Sequence, residues 1–301
     1  MAILVVGSIA LDTIETPHGK ATEILGGSAV YFAYAASFFD KVNVVGVVGE
    51  DFPEEHLKLL HSRLIDTDGI QVIKGKTFRW VGSYEGDMNS AKTHSTCLNV
   101  FESFQPIIPE KYKNLDVVFL ANIDPDLQIG VLSQVSKPKL IVCDTMNLWI
   151  NTKKKSLTKL LGMVDIAVMN EGEARMYAGT PNLVKAARYI LEQGPKYVVI
   201  KKGENGALML SNYGYFAAPG FPIEDVKDPT GAGDTFAGGL VGNLAKSGKV
   251  DKASLKKAIV FGCVMASFNV EDFSLERMKR LDNKSISDRY LEFVNLTNFH
   301  F

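Results

Sequence analysis

The chain has 301 residues, with 33 Lys and Arg against 34 Asp and Glu and a formal net charge of −1. That balance gives no electrostatic footprint for nucleic acid, and no apolar stretch approaches the ~20 residues of a membrane span. Cys97, Cys143 and Cys263 are odd in number, far apart and without a CxxC pair, which argues against a disulfide framework or structural zinc and for a reducing cytoplasm.

The first element is the apolar run Ile3–Val6, too short for a signal-peptide core and suited to a buried strand of a parallel sheet. Asp12 follows among apolar neighbours, where its ordinary reading is a solvated turn residue. Gly26-Gly27 opens a run with helical character over 26–38; the pair is either a plain helix entry or a place where backbone approaches a ligand closely. A second strand is expected over 42–48, then a helix through Leu60 capped by Asp51 with Glu54 three residues on. Residues 77–100 alternate in the manner of a β-hairpin with a wet face, turning at Gly86-Asp87, with Asp87, Asn89 and Lys92 as its polar tip.

Strands are expected again over 117–121, 140–143, 166–169 and 197–200. Asp124 lies just past the first of these, on the edge of an open parallel sheet where ligands bind, although an Asp-Pro turn explains it equally. Asn170 and Glu173 have the spacing of a helix capping box. The strand at 197–200 runs into Lys201-Lys202-Gly203-Glu204-Asn205-Gly206; these lysines are either exposed or within reach of a phosphate. Strand and helix alternate through most of the chain, which argues an α/β fold with a mainly parallel central sheet and helices on both faces. Residues 258–268 read as a helix whose small Gly262 and Ala266 serve packing or admit a flat ring, and 275–301 as a terminal helix and loop.

The most informative stretch is Asp228-Pro229-Thr230-Gly231-Ala232-Gly233-Asp234-Thr235-Phe236. A glycine turn feeds a helix whose Phe236, Leu240, Leu244 and Ala245 share one face, so backbone N–H groups gather at a helix N-terminus and form an anion site. Asp234 either caps that helix or acts as a general base while Gly231, Ala232 and Gly233 hold charge on a transferred phosphoryl group; spacing leaves both open. A P-loop is excluded because Ile70 stands where Gly75-Lys76-Thr77 needs its first glycine. A dinucleotide fingerprint, and with it a dehydrogenase, is disfavoured because Phe236 stands at the third glycine position.

The segment Asp228 to Phe236, followed by Gly238-Gly239-Leu240, resembles the second signature of the PfkB (ribokinase-like) carbohydrate kinases, and Gly26-Gly27 resembles the first. The resemblance extends over nearly the whole chain and implies one ribokinase-like kinase domain, 1–301, with lid strands at about 12–25 and 77–100 and a homodimer contact through the lid. It implies ATP and Mg2+, with Asp234 as base and Gly231, Ala232 and Gly233 as anion hole. Asp12, Gly26, Gly27, Tyr31, Asn89 and Asp124 fall to the substrate. Asn170, Lys201, Gly203, Gly206, Gly262 and Ala266 fall to the nucleotide, Glu173 to magnesium through water, and Asp228 to K+ or Na+. Tyr31 departs from the family, many of whose sugar kinases carry Asn there; an aromatic ring replaces an amide near the substrate. The expected activity is phosphorylation of a small sugar or polyol. The alternatives are a nucleoside or inositol kinase of the same family, or a non-catalytic nucleotide- or sugar-binding protein with the same fold.

Overall fold

A computed structural model describes residues 1–298. Its strands are β1 (Ile3–Val6), β2 (Ala10–Thr16), β3 (Gly19–Gly26), β4 (Val42–Gly49), β5 (Asp66–Ile73), β6 (Phe78–Tyr84), β7 (Ala91–Cys97), β8 (Val117–Leu120), β9 (Leu140–Cys143), β10 (Ile166–Asn170), β11 (Tyr197–Lys201), β12 (Ala207–Ser211) and β13 (Gly214–Ala218). The central sheet has nine strands in the order β13-β12-β11-β10-β9-β8-β1-β4-β5. From β5 to β11 every pair is parallel, while β12 and β13 return antiparallel.

The short β1 run is buried throughout, and its period of two sorts it between two cores. Ile3 and Val5 join the side built on the helices Ser28–Ala36, Ala232–Ser247 and Lys252–Asn269. Leu4 and Val6 join the side built on Lys154–Leu161, Glu171–Ala178 and Leu183–Leu191. Covering both faces lets a parallel sheet be apolar without alternation, which is why its central strands were readable as short hydrophobic runs.

A second, four-stranded sheet has the order β3-β2-β6-β7 and forms the small β lid. It is antiparallel except for the β2–β6 pair, which runs parallel. The wet face expected for the hairpin is seen in β7, exposed along its whole length. Asp12 does not stand on a turn: it lies within β2 and is 4% exposed. The capping role expected of Asp51 is also corrected. The helix Glu54–Ser62 starts from Pro53 with no side-chain cap. Asp51 instead accepts from Thr77 N–H (2.7 Å) and Thr77 Oγ1 (2.8 Å) and pairs with Arg79 (2.8 Å), because Thr77 is fully buried and its polar groups need a partner.

The strands β5, β12 and β13 had no clear sequence signal: they lie toward the ends of the sheet, where one side meets solvent and the pattern blurs. The expected terminal helix is Asn283–Thr297; residues 299–301 of the expected loop lie outside the described residues. Among the described residues no helix is long and apolar enough to cross a membrane.

Candidate active site

Parallel pairing brings the C-terminal ends of β8, β9, β10 and β11 to one edge, and with them Asp124, Asp144, Asn170 and Lys201. In the β10–β11 register Asn170 lies opposite Lys201. Asn170 and Glu173 close a full capping box: Asn170 Oδ1 accepts from Glu173 N–H (2.8 Å), and Glu173 Oε2 accepts from Asn170 N–H (2.7 Å). Lys201 turns inward and donates to Asp144 Oδ2 at 2.6 Å. Its Nζ also lies against the glycine turn of residues 231–233, 3.0 Å from where a Cβ on Gly233 would stand. Burial pulls the Lys201 ammonium toward its neutral form, but the carboxylates of Asp144, Glu173 and Asp234 more than reverse this and hold it charged.

The helix Ala232–Ser247 begins from Gly231, whose φ of 73° is the left-handed conformation that glycine adopts without strain. A helix start leaves its first N–H groups without intrahelical partners. Of the three residues expected to form the anion hole, Ala232 already donates its N–H to Pro229 O (3.1 Å). The turn is fixed from behind by the segment after the helix Lys252–Asn269. Asn269 Nδ2 donates to Thr230 O (2.8 Å), Lys227 N–H to Val270 O (2.8 Å), and Ser274 N–H to Asp228 Oδ2 (3.3 Å). Asp228 is fully buried and accepts a second bond from Thr230 N–H at 2.9 Å.

The lid and the helix Ser28–Ala36 supply the other side. The Asp12 carboxylate occupies the space over Gly26, where any Cβ would collide with it. Burial, then the nearby Asp228 and Asp234 carboxylates, push Asp12 up to about 8, against the pull of the Gly27 N–H. The ring of Tyr31 lies directly on Gly231. Its hydroxyl is buried and has no hydrogen-bond partner among the described residues. Burial and the fields of Asp12, Asp228, Tyr84 and Asp234 hold that phenol well above its ordinary range, so it is a donor. Tyr84 Oη accepts from Thr230 Oγ1 (3.3 Å), joining the lid to the glycine turn.

Two groups therefore meet at Asp234. Asp12, Tyr31, Tyr84 and Asp228 lie on the lid side; Asp144, Glu173 and Lys201 lie on the side of the sheet edge. Burial raises Asp234 to about 7, with Lys201 pulling it down and Asp144 pushing it up. Burial likewise raises Glu173 to about 7, opposed by Lys201.

Asn89 lies beside Gly203, and Gly203 and Gly206 shape the turn that follows β11. Asp124 caps the helix Pro125–Leu132 through Asp126 N–H (2.9 Å) and faces Lys153. The open side of Gly262 is filled by Phe236, 2.8 Å from a would-be Cβ, and Ala266 packs on the core. Two residues of the gathering went unassigned in the sequence. Asp144 carries the signal that singled out Asp124, an acid just past a strand end. Tyr84 shares a face with Trp80, which pairs with Asp12 in the β2–β6 ladder.

The raised carboxyls give a stability prediction. A carboxyl whose folded pKa exceeds its unfolded value contributes stability at low pH that is lost as pH rises through the folded value. Tm of the ligand-free protein should therefore fall between pH 5 and 9, in part through Asp12 at about 8. Asp12→Asn should flatten that fall; calorimetric scans across this range check it, and an equal slope in both proteins would reject the assignment.

The family match and a curated relative make this chain a kinase of the sugar and nucleoside kinase class. The chain matches the pfkB family carbohydrate kinases over residues 2–279 and belongs to that family. It is 32% identical over 251 residues to the cytidine kinase of Thermococcus kodakarensis, covering 81% of this chain and 88% of that protein. Among solved structures, the nucleoside kinase of Methanocaldococcus jannaschii, an archaeal member of the ribokinase family, superposes with a TM-score of 0.79 at 20% identity, over 97% of this chain and 98% of that one. The fructokinase of Vibrio cholerae O395, solved with fructose, ADP and calcium ion bound, gives 0.80 at 17% identity over 96% and 98%. The fold is thus ribokinase-like, as the resemblance implied.

Proposed function

We propose that this kinase moves the terminal phosphoryl group of ATP to a hydroxyl of a sugar ring, with Asp234 as the general base. The observation that carries this is the position of Asp234, where an acceptor-side cluster and a cation-bearing sheet edge meet at a helix N-terminus. At about 7 its carboxyl is poised to take a proton near neutral pH. Asp12 and the unpartnered Tyr31 hydroxyl, a buried donor whose isolation is costly, bind acceptor oxygens. The N–H groups of Gly231 and Gly233 and the helix dipole receive the developing charge, with Ala232 sharing its N–H with Pro229. Lys201, Asn170, Gly203 and Gly206 would hold the nucleotide phosphates, and Glu173 would hold magnesium through water. When bound, magnesium would supply neutralising charge for the phosphates. Asp228 would be the residue for K+ or Na+, and the described residues 1–298 act as one domain, with the exposed edge of β7 offered to a second copy.

The acceptor favoured is a nucleoside, supported by the cytidine kinase that matches most of the chain. A free sugar or polyol is the second reading. It is favoured by Tyr31, whose ring packs on Gly231 and into the core, so the residue offers a hydroxyl donor and not a face on which a base would stack.

The test is ADP release from ATP and magnesium over a panel of nucleosides, sugars and inositols, in KCl and in choline chloride, with sedimentation of the same preparation. One nucleoside that is turned over, and lost in Asp234→Asn, is the expected result. A sugar or inositol hit with nucleosides silent would select the second reading. Silence throughout, with ATP still raising Tm, would point to a binding protein.

A further inference from the structure

We infer that Asp144 is a positioning residue that holds the Lys201 ammonium against the N-terminal turn of the helix Ala232–Ser247, where a phosphoryl group would be transferred. The inference rests on the kinase reading above. A lysine at the end of a strand ordinarily extends its flexible stem into water. Here the Lys201 side chain is only 16% exposed, and its Nζ is 2.6 Å from Asp144 Oδ2. The same Nζ lies against Gly233, where an added Cβ would stand 3.0 Å from it and crowd it.

Asp144 is rigid enough for the task. It is 2% exposed, its Oδ1 accepts from Thr145 N–H (2.8 Å), and its own N–H donates to Leu120 O (2.9 Å). Its carbonyl takes a bond from Gln128 Nε2 (3.0 Å), which also reaches Leu120 O and Ala121 O. The buried Gln128 thus locks the ends of β8 and β9 together and leaves the carboxylate little freedom. Beside it, the buried Thr145 Oγ1 has no hydrogen-bond partner among the described residues, a polar atom at this strand end free to take one. The charge count fits the role: Asp144, Glu173 and Asp234 are three carboxylates around one ammonium. Without Asp144 the lysine would be drawn to Glu173 or to Asp234, pairing with the base instead of the phosphoryl group.

A plain structural ion pair tying β9 to β11 is the competing account, and removing either partner of a buried pair would cost stability in both cases. The deciding experiment uses the full chain and the acceptor found by the panel. Lys201→Ala should lower kcat roughly 10- to 100-fold, the scale of one charged hydrogen bond. Added ethylammonium should restore part of it, and the rescue should vanish in Lys201→Ala/Asp144→Asn. Asp144→Asn alone should lower kcat about tenfold with the acceptor KM unchanged. Binding of ATP with magnesium, read by calorimetry, should weaken in each single variant, with the double variant no weaker than Lys201→Ala. If Asp144→Asn fails to fold, Asp144→Glu serves, with partial kcat expected. Equal rescue with and without Asp144, or a lowered Tm with kcat and nucleotide affinity intact, would overturn the inference. A wild type that binds ATP but phosphorylates nothing would sink the kinase reading instead, and the affinity comparison would still judge Asp144.

Discussion

Asp234→Asn is expected to lower kcat by about two to four orders of magnitude, the range general-base catalysis supplies. The amide keeps the shape of the side chain but cannot accept a proton from the acceptor hydroxyl. Substrate affinities should change little, because Asp12 and Tyr31 on the lid side, and Lys201 and Glu173 on the sheet side, are untouched. Wild-type kcat/KM should fall as pH drops below about 7, since burial holds the Asp234 carboxyl there and only its ionised form can act. Stopped assays of both proteins from pH 5 to 9 make the comparison. Turnover of the variant within tenfold of wild type would remove Asp234 from the role of base and leave it as a helix-start carboxylate.

Gly231→Ala is expected to be nearly as damaging, though it deletes no functional group. Gly231 sits at φ 73°, where an L-residue costs about 1–2 kcal/mol. The added methyl would also run into the Tyr31 ring, which is 1% exposed and packed within the core. The buried ring has little room to yield, so the turn is the part expected to move, and with it the N–H groups proposed to receive the transferred charge. A fall in kcat of about 100- to 1,000-fold, the scale of losing one such donor, should accompany a Tm lower by several degrees. Steady-state kinetics and a melting curve on one sample test this. A variant with normal kcat would mean that the N–H groups of this turn do not meet the transferring charge.

What the sequence by itself determined is local and periodic. Ile3–Val6, Leu140–Cys143 and their like are apolar enough to be buried strands whatever their neighbours, and the alternation with helices makes the sheet mainly parallel. The glycine turn before Phe236 must precede a helix, and Asn170 with Glu173 must cap one, because these features involve residues within a turn of each other. Tertiary structure alone decided the matters that depend on distant partners. Asp12 became a buried strand residue because the β2–β3 pairing lays Gly26 beneath it. Asp51 left its helix for Thr77 and Arg79, 26 and 28 positions on, and Asn89 reached the turn at Gly203. Lys201 found Asp144 across 57 positions, which no spacing rule could show. A side chain's propensity and period are set by its neighbours in the chain, but its charge state and partner are set by whatever the folded backbone brings within a few ångströms.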